Sequence, residues 1–235
     1  MNPSSIEQRR PATAPERERT RGDRAGVFVT FEGIEGCGKT TQLRDLAARL
    51  RDVGREVVTT REPGGTELGR ALRALLLAPH DVPPSATAEL LLYAADRAQH
   101  LEEVVEPALA RGAVVLCDRY LDATLAYQGY GRGLGCEAVL AVHRRPPLDR
   151  RPDRTVLLDL DPAIGVLRAR DRNDAGGLTA SEGRFEAEAL AFHERVRDGY
   201  LLIAEQAPRI RVVDADGSID EVGVRVWAAV RDVVV

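Results

Sequence analysis

Val27-Phe28-Val29-Thr30-Phe31-Glu32-Gly33-Ile34-Glu35-Gly36-Cys37-Gly38-Lys39-Thr40 begins as a short apolar run and ends in G-x-x-x-x-G-K-T. The run suits a buried strand, and the motif after it is the phosphate-binding loop of nucleotide-binding α/β proteins. Its glycines let backbone N–H groups curl around phosphate oxygens, the lysine reaches the β/γ-phosphates, and the threonine hydroxyl meets a magnesium ion. Leu43, Leu46, Ala47 and Leu50 follow at i, i+3, i+4 and i+7, one face of a helix. That helix would point its N-terminal partial positive charge at the bound anion. Strand, loop and helix in this order predict a nucleoside triphosphate on Gly33, Ile34, Glu35, Gly36, Cys37, Gly38, Lys39, Thr40 and Thr41.

Lys39 stands out for a second reason. Lysine and arginine together number 33, and Lys39 is the only lysine. Arginine is a wide planar fork and lysine a compact point charge, so the position that kept lysine is the one where the motif needs a point charge. Cys37, in the same electropositive loop, is expected to have a lowered thiol pKa and to be open to alkylation. Its plainer role is a small residue in a tight loop.

Working outward, residues 1–26 mix Arg, Glu, Pro and Ser with almost nothing apolar. They cannot bury a core and are expected to be a disordered tail. Beyond Val27, apolar runs at 56–60, 113–117, 155–160 and 209–213 predict four further strands. Helical patterns are expected at 66–77, 86–111, 121–129, 135–143 and 184–206, with a last helix running through Trp227 and another starting at Asp161-Pro162, Asp as the cap and Pro at the first helical position. Alternating strands and helices imply an α/β fold: five parallel strands between two helical layers, over residues 27–235.

The totals narrow the function. A net charge of −4 argues against a nucleic-acid binder, which would carry a basic excess. Three cysteines without C-x-x-C spacing indicate neither a disulfide framework nor a zinc site, and a reducing cytoplasm fits. No apolar run approaches the ~18 residues of a membrane span.

Four further segments could carry chemistry. Asp118-Arg119 directly follows the apolar run 113–117, where ligands bind in open α/β sheets. Asp118 could reach the magnesium through water and Arg119 could bridge phosphates, although a capping Asp beside a surface Arg would look the same. Asp159 and Asp161 compete for the metal role, and the Asp-Pro helix start accounts for Asp161. Arg61 precedes Glu62-Pro63-Gly64-Gly65-Thr66 at a strand end and suggests another anion contact. Tyr93 and Arg97 lie four apart on one helix face, suited to stack on and bond to a base, or equally to form a buried tyrosine beside a salt-bridged arginine. The Gly-rich stretch 173–183, flanked by Arg168, Arg170, Arg172 and Arg184, suits a lid over phosphates (about 172–184) or an ordinary exposed loop.

Taken together, FEGIEGCGKTTQ (31–42), REPGGT (61–66), LLYAADRAQH (91–100), DRYLDATLAYQG (118–129), PDRTVLLDLDP (152–162) and RFE…FHERVRDGY (184–200) resemble the bacterial thymidylate kinase family. That resemblance implies a P-loop nucleoside monophosphate kinase fold, usually a homodimer, phosphorylating dTMP to dTDP with ATP and Mg²⁺. It implies that thymine stacks on Tyr93, with Arg97 on its edge and Thr124 and Gln128 nearby, while Tyr127 crowds the sugar 2′ position. Arg61 and Arg119 would grip the dTMP phosphate, Glu35 would lie near the acceptor and the metal, and a lid arginine, Arg172 or Arg184, would complete catalysis. Where the family commonly has Phe and Ser, this chain has Tyr93 and Ala123. Two other readings remain: the same reaction on another monophosphate such as dUMP or dCMP, or a P-loop switch or ATPase without a second substrate, against which 61–66 and 118–129 weigh.

Overall fold

Five apolar runs supply the strands of a single parallel sheet, ordered β2-β3-β1-β4-β5. They are β1 (Val27–Glu32), β2 (Val57–Arg61), β3 (Val114–Asp118), β4 (Arg154–Asp159) and β5 (Ile210–Asp214). The computed structural model describes residues 25–174, 184–185 and 188–235. The expected tail lies almost wholly outside the described residues, as does most of the expected lid. Nine α-helices are described: α1 (Lys39–Asp52), α2 (Glu67–Leu77), α3 (Ala86–His100), α4 (Glu106–Ala110), α5 (Leu121–Thr124), α6 (Cys136–Val142), α7 (Pro162–Asp174), α8 (Leu190–Gln206) and α9 (Ile219–Val234).

The central strands are apolar on both faces because both are covered. From β1 and β3, Val29, Phe31, Val114 and Leu116 enter one core, while Phe28, Val115 and Cys117 enter the other. Each fully buried Val, Leu or Phe contributes about 1.5–3 kcal/mol, so these strands anchor the domain. The terminal helix holds on through Val222, Val226, Val230 and Val234, all buried and spaced by four.

Register fixes the site. Phe31 of β1 and Arg61 of β2 both pair with Asp118 of β3, so three strands end in one row. β1 sits at the centre of the sheet, with β2 and β3 to one side and β4 and β5 to the other. Ligands bind beyond the carboxyl ends of strands at such a reversal.

Two expectations need correction. The helix expected over 184–206 starts at Leu190. Arg184 forms a turn whose N–H donates to Leu77 O at 3.4 Å, and Phe185 is buried against Tyr127 and Phe192. Aromatic burial overrides helical propensity there. The helix expected over 121–129 is only one α-turn long before it widens into a π-wound stretch, Leu125–Gly131. A second π-wound turn, Leu101–Val105, joins α3 to α4. Such widened turns often occur at functional sites, and the first carries both Tyr127 and Gln128.

Candidate active site

The phosphate loop leaves β1 with Gly33, Gly36 and Gly38 at φ of 133°, 73° and 93°, conformations that side-chain-bearing residues rarely adopt. Gly36 is doubly required: a Cβ there would lie 2.1 Å from Gly165 O, and one on Gly165 would lie 2.6 Å from Glu35 O. The loop backbone and the first turn of α7 are therefore in direct contact. Lys39, 8% exposed, donates from Nζ to Gly33 O at 3.1 Å and Ile34 O at 2.7 Å. Its Nζ also lies 3.5 Å from Cys37 Sγ. Cys37 is itself buried, which leaves an alkylating reagent no approach in this arrangement and matches its plainer role as a small loop residue.

The next residue, Thr40, donates its hydroxyl to Asp118 Oδ2 at 2.7 Å. A hydroxyl and a carboxylate side by side are hard oxygen ligands of the kind magnesium takes. Among the described residues no group of three or more His, Cys, Asp or Glu could hold a metal alone. The pair instead suits an ion held mainly by phosphates.

Arg119 is the only non-glycine among the described residues with positive φ, at 71°. A non-glycine left-handed backbone costs about 1–2 kcal/mol, and here it comes with a guanidinium turned back to the loop. Its NH1 donates to Gly33 O at 3.0 Å and its NH2 to Glu35 Oε1 at 2.6 Å. Tyr127 donates its hydroxyl to Glu35 Oε2 at 2.6 Å, and Arg119 lies over the Tyr127 ring at 5.0 Å. Burial alone would raise the Glu35 pKa, but Arg119, Lys39 and the Tyr127 hydroxyl outweigh it and hold the carboxyl below the ordinary range. His193 is buried beside this group, its Nδ1 3.9 Å from Glu35 Oε2.

Glu35, Gly36, Lys39, Thr40, Asp118, Arg119 and Tyr127 line a cavity of about 500 Å³, together with Gly38, Thr41, Arg61, Tyr93, Arg97, Thr124 and Gln128. Arg61 reaches it from the end of β2 and is exposed, with no ion pair among the described residues. Arg97 is 1% exposed and bonded at each of its three nitrogens: Nε to Glu62 Oε2 at 2.8 Å, NH1 to His143 Nε2 at 2.7 Å, NH2 to Thr124 Oγ1 at 3.0 Å. Burial and then Arg97 push the His143 pKa down to about 4. The neutral ring accepts from Arg97 while its Nδ1 donates to Val139 O at 2.7 Å. The arginine is thus salt-bridged and buried, as the plainer reading of Tyr93-Arg97 expects, and both residues line the cavity.

Glu62 also takes His100 Nδ1 at 2.8 Å. Asp96 Oδ1 accepts Gly64 N–H at 3.1 Å and so pins the Pro-Gly-Gly turn. Burial first, then Glu62, raises the Asp96 pKa to about 6. Under β1, Glu32 accepts Tyr120 N–H at 2.8 Å and the Tyr200 hydroxyl at 2.9 Å. Burial, then Asp122, raises its pKa to about 8.

Not every expected residue meets the cavity. Gly33, Ile34 and Cys37 lie beneath it as loop framework. Arg184 points elsewhere, donating NH1 to Leu76 O at 2.9 Å and NH2 to the buried Glu89. The Arg172 side chain lies outside what is described. Sequence reasoning passed over Arg44 and Arg73, which line the cavity, as well as Glu62, Glu89 and His143. The helical spacing Glu89-Tyr93-Arg97 would have offered Glu89; nothing local marked His143.

The family model described as Thymidylate kinase matches residues 31–226. A thymidylate kinase from Solidesulfovibrio magneticus is 54% identical over 205 residues, covering 87% of this chain and 98% of the relative. One from Syntrophotalea carbinolica is 54% identical over 201 residues, covering 85% and 93%. The crystal structure of thymidylate kinase from Ehrlichia chaffeensis superimposes with a TM-score of 0.69 at 32% identity, covering 87% of this chain and 98% of that one. With the phosphate loop, the parallel sheet and the shared cavity all in place, this chain belongs to the thymidylate kinase family.

Proposed function

We propose that the chain transfers the ATP γ-phosphoryl group directly to the phosphate of dTMP, giving dTDP and ADP. The observation that carries this reading is one continuous cavity with two chemistries. Lys39 and the Thr40–Asp118 pair serve a triphosphate, and Tyr93, Arg97, Thr124 and Gln128 serve a base. Arg61 and Arg119 line the same space and suit the acceptor phosphate. Phosphoryl transfer of this kind is mostly positioning and charge neutralisation, so no covalent nucleophile is needed. The acceptor is already an oxyanion, and no strong base is needed either.

In this reading Lys39 exchanges the carbonyls of Gly33 and Ile34 for β/γ-phosphate oxygens. Thr40, and Asp118 through water, would hold Mg²⁺, which when bound neutralises phosphate charge. Glu35 keeps Arg119 and Tyr127 in place near the acceptor, and the Tyr127 ring restricts the sugar 2′ position. Arg172 or Arg184 would supply the lid cation, Arg184 after release from Glu89. Residues 1–26 are read as a tail and 172–184 as the lid. We further propose a cytoplasmic homodimer. Supporting the dimer, Leu68 and Leu75 of α2 and Leu91 of α3 are 47%, 46% and 53% exposed. Among the described residues no helix is long and apolar enough to cross a membrane.

A coupled assay of ADP release across nucleoside monophosphates tests the reading. dTMP should give the highest kcat/KM, and equal turnover of dUMP or dCMP would overturn the substrate assignment. Light scattering after size exclusion should report twice the chain mass of 25.6 kDa.

A further inference from the structure

Glu89, Tyr93 and Arg97 follow one another at four-residue spacing along α3, which puts them on one helix face. Tyr93 and Arg97 line the cavity and Glu89 does not; it is fully buried. It is nonetheless among the most heavily bonded side chains near the site. Gln128 Nε2 donates to Glu89 Oε1 at 2.6 Å, Arg132 Nε approaches the same oxygen at 3.3 Å, and Arg184 NH2 donates to Oε2. The two guanidiniums supply the counter-charge a buried carboxylate requires. Neither explains why the carboxylate should sit against Gln128.

The chemistry of the pair supplies the reason. A carboxylate can only accept, whereas the glutamine amide has a donating and an accepting end that are nearly the same shape. Facing Glu89, Gln128 must present its NH₂. Its Oε1 then becomes the end left for the cavity that Gln128 lines, and among the described residues no donor takes it. Glu62, His143 and Thr124 each take one N–H of Arg97, and a guanidinium has five, so two N–H groups remain on a residue that lines the same cavity.

We propose that Glu89 is a specificity-positioning residue that locks the Gln128 amide with its oxygen towards the nucleobase. The edge so formed, one acceptor beside arginine donors, matches a base whose ring N–H lies next to a carbonyl, as in thymine and uracil. It opposes cytosine, whose ring nitrogen at that position is itself an acceptor. A freely turning amide would accommodate either base. This rests on the dTMP reading above and adds how the base edge is told apart.

The test compares dTMP with 5-methyl-dCMP, which keeps the methyl group and alters only the ring-nitrogen and amino edge. The wild-type enzyme should prefer dTMP by about 100-fold or more in kcat/KM, as a hydrogen-bonding site that confronts a mismatched edge does. Glu89→Gln keeps the shape but can donate, so the Gln128 amide can turn, and the preference should fall about tenfold or more. Structural damage alone would lower both activities together, so an unchanged ratio in Glu89→Gln overturns the proposal. Should that variant fail to fold, the wild-type preference decides: near-parity between the two substrates refutes a locked amide. An enzyme inactive on dTMP altogether would overturn the functional reading instead.

Discussion

Lys39 and Arg97 face the same cavity, yet they are held by different kinds of partner. Lys39 rests on two neutral loop carbonyls and a thiol, contacts that a phosphate can replace without leaving a charge stranded. Arg97 is locked by a buried carboxylate, an imidazole and a hydroxyl, a charged and directional set that a neutral base is poorly equipped to displace. The region read as serving the phosphates is thus provisional and the region read as serving the base is prebuilt. The physical reason lies in the ligands. A triphosphate brings enough charge to displace weak protein contacts, while a neutral base does not and needs its donors aligned beforehand.

Breaking the provisional side should cost rate and spare the fold. Lys39→Arg keeps the charge and loses compactness; kcat should fall about 10³-fold, the scale of one lost preorganised donor, with the thermal midpoint nearly unchanged. Turnover near wild type would sink the role given to Lys39. Breaking the prebuilt side should do the reverse. Glu62→Gln leaves buried Arg97 without its carboxylate and should cost about 3 kcal/mol of stability, seen in urea melts, with a raised KM for dTMP.

A stability effect of similar size sharpens the contrast through pH. Glu32 is buried with its pKa raised to about 8, so the native state holds a proton that the unfolded chain, titrating near 4.5, releases earlier. Its contribution is full below about pH 4.5 and is lost as pH rises towards 8. Glu32→Gln mimics the protonated form, so it should match wild type near pH 5 and exceed it by a few kcal/mol at pH 8. Equal denaturation midpoints at pH 8 would refute this. Smallest of all, Tyr127→Phe removes one hydroxyl from Glu35 and Arg119 and should lower kcat/KM by about three- to tenfold, on the scale of a single hydrogen bond.

The parts legible in the sequence are those with local causes. Glycine spacing located the loop, apolar runs located every strand to within a residue or so, and the position after a buried strand located Asp118 and Arg119. What stayed hidden depends on long-range packing. No local pattern announces that Arg119 takes a left-handed backbone, that residues 125–131 widen into a π turn, or that Phe185 leaves the expected helix for an aromatic cluster. His143 reaches Arg97 across 46 residues, and only the fold brings them together.

The contact between Gly36 and Gly165 has a mechanical consequence. Two backbones touching without side chains between them form a joint with no slack, because no rotamer can absorb a displacement. A push on the first turn of α7 must therefore reach the phosphate loop nearly undiminished, so a single methyl at Gly165, pressing on Glu35 O, offers a way to detune catalysis without replacing any residue that lines the cavity.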